Sequence, residues 1–158
     1  MTQEKINKLQ NLIKKNGLDG WLFYDFRGSN DLALSVLEFP AKAHLTRRFF
    51  YFIPAEGIPQ KVAMAIELHN LAHLPGDMHP YSDYNSLNKI MATLLKGVKK
   101  VAMEYSPKNA IPYLSKLDAG TYEYLKDFGI EIVSSGDLLT EFTAVWTKEQ
   151  YEDNIPVA

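Results

Sequence analysis

The sequence predicts an α/β domain: a single three-layer unit whose mixed, mostly parallel sheet contains one antiparallel hairpin and carries helices on both faces. Three observations predict it. Helix-period and strand-like segments alternate along the chain. One strand-like segment, WLFYDF at 21–26, is an almost uninterrupted apolar run, as suits a strand covered on both sides. Two others, RRFFYFIP and QKVAMAIE, are separated only by AEGIP, where Gly57 and Pro59 allow a reversal and an antiparallel pair.

The elements follow in order. Ile6, Leu9, Leu12 and Ile13 fall on one face at helical spacing and Asn16-Gly17 supplies the stop, so a first helix covers about 2–16. WLFYDF is the central strand. Ser29-Asn30-Asp31 offers caps for a short helix through LALSVL, which Pro40 follows. The hairpin comes next, and then Leu87, Ile90, Met91 and Leu94 mark an amphipathic helix over about 85–96. KKVAMEY reads as a strand, Thr121 to Phe128 as a helix ended by Gly129, and GIEIVS as a strand. Ser135-Gly136-Asp137 opens a helix through LLTEF.

Size and composition fit one soluble core. The chain has 158 residues, 46% hydrophobic and 23% charged, with no repeat, low-complexity tract or Ser/Gly/Pro-rich linker. A net charge of −2 gives no footprint for nucleic acid or an anionic membrane, and no apolar stretch reaches membrane-spanning length. With no cysteine there is neither a disulfide framework nor a thiolate nucleophile or metal ligand. The charged, periodic start MTQEKINKLQNLIKK lacks the form of a secretion signal, and a cytoplasmic protein is expected.

Motifs that carry chemistry are few. His69-Asn70-Leu71-Ala72-His73 would place two imidazoles one helical turn apart, as in zinc proteases, but Asn70 stands where the general base is needed. Surface histidines are the simpler reading, and no metal site is assigned. Ser29, Ser106, Ser134 and Ser135 all precede or begin helices, where capping explains them, and there is no GxSxG elbow. Gly28 stands without the further glycines of a phosphate loop, and Glu123 with Asp127 share a solvated helix face. No catalytic residue is assigned.

The loop Asp25-Phe26-Arg27-Gly28-Ser29-Asn30-Asp31 carries more. It follows the central strand at its carboxyl end, the side where open α/β sheets place ligands, and a guanidinium held there could bind a carboxylate through two parallel hydrogen bonds. The competing explanation is an internal ion pair from Asp25 to Arg27 or Arg48 that shapes the loop.

WLFYDFRGSND, LTRRFFYFIPAEGIPQKV, VAMEYSPKNAIPYLSKLDAGTYEYL and SSGDLLTEFTAVWTKEQYEDN, in that order and spacing, resemble the amino-terminal domain of a bacterial Xaa-Pro peptidase of the creatinase, prolidase and aminopeptidase P family. The resemblance covers nearly the whole chain from Gly20 onward. It implies a two-domain protein whose second, pita-bread domain binds two divalent ions (Mn, Co or Zn) through two Asp, one His and two Glu. Those ions activate the hydroxide that attacks the bond before proline. None of those ligand motifs matches this sequence, so no cofactor is expected in this chain and the chain alone is expected to be inactive.

The resemblance also implies partners and a boundary. Residues 1–145 correspond to the amino-terminal domain, and 146–158 to the start of the connection to an absent catalytic domain of the same polypeptide. Trp146 to Asn154 reads as the opening of a polar helix capped by Thr147, which Pro156 would interrupt. A homodimer and proline-containing peptides as parent substrates are implied, with neither nucleic acid nor membrane. Tyr24, Arg27, Arg47 and Arg48 are the implied contributors to substrate selection, joined by Asp25 from the same loop. A free-standing protein- or peptide-binding module derived from such a domain is the alternative. The run Phe49-Phe50-Tyr51-Phe52 hints at an interface, since these rings cannot all point inward if one sheet face is wet.

Overall fold

The computed structural model describes the backbone of residues 1–153 and the side chains of residues 1–145. The chain opens with helix α1 (Gln3–Lys15). The Thr2 side chain caps it by accepting from Lys5 N, and Gly17 ends it at a φ of 70°. Strand β1 (Gly20–Asp25) follows, then helix α2 (Asp31–Val36), whose N-cap is Asn30. The hairpin strands are β2 (Phe49–Pro54) and β3 (Gln60–Met64). Strand β4 (Asp77–Tyr81) leads into helix α3 (Tyr84–Leu94). Strand β5 (Lys100–Met103), helix α4 (Ala119–Lys126), strand β6 (Glu131–Ser134) and helix α5 (Gly136–Asp153) complete the domain.

The six strands form one sheet in the order β4-β3-β2-β1-β5-β6. β2 alone runs against the other five: it is antiparallel to β1 and β3, whereas the β1–β5, β5–β6 and β3–β4 pairs are parallel. The expected mixed sheet with its hairpin is therefore present, and β1 and β2 lie at its centre. Gly20 pairs with Pro54 there, packed so closely that a Cβ would stand 2.3 Å from the Phe52 ring.

Side-chain alternation sends successive residues of β1 and β2 to opposite cores. Trp21, Phe23, Phe49, Tyr51 and Ile53 pack with Ile6, Leu9 and Ile13 of α1, Val36 of α2 and Leu138 of α5. Leu22, Tyr24, Phe50 and Phe52 pack with Leu87 and Met91 of α3 and Leu125 of α4. The result is three layers, with α1, α2 and α5 on one face and α3 and α4 on the other.

Several expectations are corrected. The aromatic run of β2 is wholly buried, with Phe49 to Phe52 no more than 4% exposed, because neither sheet face is wet; it supplies no interface. A sixth strand, β4, lies where the sequence shows no strand signal. Its DMHPY sequence is polar and contains Pro80, which an edge strand tolerates because one side of its backbone needs no partner. The His69 segment forms only a short 3₁₀ turn, Leu68–Leu71, so the two imidazoles do not share an α-helical face. His73 instead places Nε2 2.9 Å from the Leu37 carbonyl oxygen and sets its ring edge against Phe39. No helix begins at Thr147, because the backbone of α5 runs unbroken from Gly136 to Asp153. Pro156 lies outside the described residues.

One polar contact set ties the layers together. The Glu104 carboxylate, 2% exposed at the end of β5, accepts from Trp21 Nε1 of β1 at 2.8 Å, Asn30 Nδ2 at the cap of α2 at 2.9 Å, and Ser135 Oγ before α5 at 2.8 Å. Burial raises its pKa, and these three donors offset only part of that effect.

Candidate functional site

The carboxyl ends of β1, β3 and β4 and the start of β2 open onto one depression of about 620 Å³, between the first turns of α3 and α4. This is the ligand side of a parallel sheet, and the volume is within the roughly 300–1,000 Å³ of small-ligand sites. Tyr24 enters it from the end of β1, Arg47 and Arg48 from the residues before β2, and Met64 from the end of β3. Tyr81, Asp83 and Tyr84 come from the β4–α3 junction, and Asp118, Thr121 and Tyr124 from α4 and its cap.

Local chemistry fixes each wall. Asp83 caps α3, accepting from Ser86 N at 2.7 Å, while Ser86 Oγ accepts from Asp83 N in return. The Ser86 amide and hydroxyl hold the exposed Asp83 carboxyl below its ordinary value. Asp118 caps α4, accepting from Thr121 N at 2.9 Å and Thr121 Oγ1 at 2.7 Å. Both acids of the depression are thus committed to the helix ends behind them.

The arginines are held by their backbone. Glu67 accepts from Thr46 N at 3.0 Å, from Thr46 Oγ1 and from Arg47 N at 3.1 Å, which fixes the approach to β2. Burial by itself would raise the Glu67 carboxyl; the hydrogen bonds of Thr46 and Arg47, with the Arg47 charge, outweigh it and hold the group below its ordinary value. The Tyr81 hydroxyl donates to the Arg48 carbonyl oxygen. The Arg48 guanidinium lies over the Tyr84 ring, 5.6 Å from its centroid.

Tyrosines surround that cation. Burial raises the pKa of Tyr24 and Tyr81 and pushes Tyr124 up to about 12, while the Arg48 charge opposes the rise in all three. The Tyr124 hydroxyl donates to Asn88 Oδ1 at 2.8 Å. All three are neutral, uncharged neighbours of Arg48 at physiological pH. Among the described residues, neither Arg47 nor Arg48 forms an ion pair.

Of the residues singled out in the sequence, the structure brings Tyr24, Arg47 and Arg48 together and leaves Asp25 and Arg27 apart. Asp25 is fully buried and accepts from Gly28 N at 2.9 Å and Asn30 N at 2.8 Å. The expected Asp25 ion pair is thereby corrected: loop amides, not a guanidinium, satisfy this carboxylate. Arg27 is exposed at the tip of that loop, at a φ of 58°. The α3 and α4 residues of the site were missed. The signal for them was present in DYNS and DAGT, an Asp three residues before Ser or Thr at a helix start.

A second, largely apolar groove of about 1090 Å³ lies between α2, the 3₁₀ turn Pro112–Leu114 and α5. Ile111, 44% exposed, and Tyr113, 67% exposed, stand at it. Among the described residues no group of three or more His, Asp or Glu gathers to hold a metal ion. No helix among them is long and apolar enough to cross a membrane.

Solved structures share this arrangement over most of the chain. The chain superposes on the creatinase/prolidase N-terminal domain of an X-Pro dipeptidase from Streptococcus pyogenes with a TM-score of 0.65 at 14% identity, over 89% of this chain and 99% of that one. The fold is that of the creatinase/prolidase amino-terminal domain. A proline dipeptidase from Streptococcus pneumoniae gives a TM-score of 0.65 at 18% identity, over 92% of this chain and 99% of that one. The prolidase from Thermococcus sibiricus gives 0.66 at 20% identity over 89% of this chain, which spans only 36% of that longer protein. No family model and no curated protein matches the sequence.

Proposed function

We propose that this chain acts as the non-catalytic amino-terminal domain of a metal-dependent Xaa-Pro dipeptidase or aminopeptidase in the cytoplasm, where it contributes subunit contacts and one wall of the substrate entrance. The observation that carries this reading is the correspondence of almost the entire chain to the creatinase/prolidase-type domain of such an enzyme, together with its match to about a third of a longer prolidase. In this reading the two divalent ions and every catalytic ligand belong to the other domain of the polypeptide. The apolar groove between α2 and α5 is the surface we assign to contact with that domain or with the partner of a homodimer. Tyr24, Arg47 and Arg48 face proline-containing substrate from the depression, with Asp25 and Arg27 acting through the shape and charge of the adjoining loop.

The test compares Xaa-Pro dipeptide hydrolysis, with added Mn or Co, by this chain and by the product of the reading frame continued past codon 158. Activity confined to the continued product is expected. Hydrolysis by this chain would overturn the non-catalytic role, and a continuation without metal-ligand motifs would overturn the parent enzyme. The alternative is a free-standing protein- or peptide-binding module derived from such a domain.

A further inference from the structure

The depression described above holds two guanidinium groups and two carboxylates, but the four charges are not equivalent. Asp83 and Asp118 are each engaged by the amide and hydroxyl groups at the start of their own helices. Arg47 lies close enough to Glu67 to depress that carboxyl, although the Glu67 oxygens are already held by Thr46 and Arg47 N. Arg48 has no such acid. Its guanidinium lies over the Tyr84 ring, 5.6 Å from the centroid, and its charge reaches the hydroxyls of Tyr24, Tyr81 and Tyr124. A guanidinium that meets a ring through its face keeps its fork of N–H donors in its own plane, at its edge, where an acceptor can reach them.

Apolar surface adjoins that cation. Phe26 is 46% exposed and Tyr84 is 55% exposed, both at the depression, and Met64 lines it beneath. Exposed rings beside a cation that lacks an acid partner suit a ligand carrying an anionic group on an apolar or aromatic body.

We propose that the depression is a binding site for a small organic anion, a carboxylate or phosphate attached to an aromatic or bulky apolar group, with Arg48 as the principal anion contact, Arg47 as the second cation and Tyr84 with Phe26 receiving the apolar part. The free carboxylate of a short peptide with an apolar last residue is one source of this chemistry, and an aryl phosphate is another. The inference rests on the reading of the depression as a substrate-facing wall and names the class of ligand that wall takes. It requires no hydrolysis and no second domain.

Calorimetric titration of the 158-residue chain with N-acetyl-L-phenylalanine, N-acetyl-L-phenylalaninamide and phenyl phosphate tests it, with amide NMR shifts locating any binding. The acid or the phosphate is expected to bind, shifting resonances around Arg48 and Tyr84, and the neutral amide at least tenfold more weakly; which anion binds tighter identifies the source. Arg48→Ala should weaken binding at least tenfold with unchanged far-UV circular dichroism, Arg48→Lys should restore part of it, and Tyr84→Leu should weaken it while leaving Arg48 in place. Equal binding of acid and amide, binding insensitive to both substitutions, or no binding of either anion to the folded chain would overturn the proposal. Since hydrolysis is not measured, failure here leaves the peptidase-domain reading standing, and failure of that reading leaves the binding result intact.

Discussion

Trp21 Nε1 donates to Glu104 Oε2 at 2.8 Å, joining the central strand β1 to a carboxylate that no cation among the described residues accompanies. Asn30 and Ser135 complete its partners, so strand β1, the cap of α2 and the start of α5 all meet at one side chain. A buried carboxylate held only by neutral donors is disfavoured in its charged form, which is why its pKa rises.

That relationship predicts a pH dependence. Between the ordinary carboxyl value of 4.5 and the higher folded value, the folded state binds more protons than the unfolded chain, so Glu104 makes stability fall as pH rises through that window. Glu104→Gln should flatten this part of the profile in urea titrations followed by tryptophan fluorescence. Glu104→Ala leaves Trp21 Nε1 and Ser135 Oγ without an acceptor in the core and should cost about 3 kcal/mol. An unchanged slope in Glu104→Gln would show that another group titrates.

Glu67 acts in the opposite sense. Its folded value is depressed, so its contribution is complete above the ordinary value of 4.5 and is lost as pH falls through the lower folded value. Glu67→Gln should reduce acid sensitivity below about pH 4.5 and speed hydrogen exchange at the amides of Thr46 and Arg47, which donate to this carboxylate. Unaltered exchange there would mean that the approach to β2 is fixed by other contacts.

Gly20 predicts an intolerant position at the head of β1. A methyl group would meet the Phe52 ring at 2.3 Å and the Ile53 carbonyl oxygen at 2.9 Å. Gly20→Ala should destabilise the domain by about 1–3 kcal/mol, since a packed core must shift to admit it. At this chain length each kcal/mol lowers Tm by roughly 2–4 °C, a change that calorimetry resolves.

Lys61 predicts a local effect. Its buried ammonium donates to the Leu74 carbonyl oxygen at 2.8 Å and to that of Leu71 at 3.3 Å, holding the segment before β4 against β3. Lys61→Met retains the apolar stem but leaves the Leu74 oxygen without its donor, at a cost of about 2 kcal/mol. Exchange should accelerate first in residues 71–76; acceleration spread evenly over the sheet would argue for a global effect instead.

The depression was legible in the sequence only in part. Arg47, Arg48 and Tyr24 were reached through the family resemblance, since a basic pair before a strand by itself reads as a solvated strand end. Asp25 and Arg27 drew attention for their place in the loop after the central strand. Their fates differ because Asp25 is drawn inward by two loop amides, whereas Arg27 sits at the tip with a left-handed backbone. Strand β4 escaped notice since an edge strand needs neither alternation nor an apolar run when its register comes from backbone pairing with β3.

The sequence by itself determined the fold class, the order of its helices, the hairpin and the central place of WLFYDF. Those features depend on interactions within a few residues: side-chain period, caps such as Asn30, Asp83 and Asp118, and stops such as Gly17 and Gly129. Only the tertiary structure decided that Arg48 would lie over Tyr84 beside Tyr124, and that Glu104 would gather Trp21, Asn30 and Ser135. Strand order sets these meetings, because β2 lies between β1 and β3 and brings residues from distant parts of the chain to one end of the sheet.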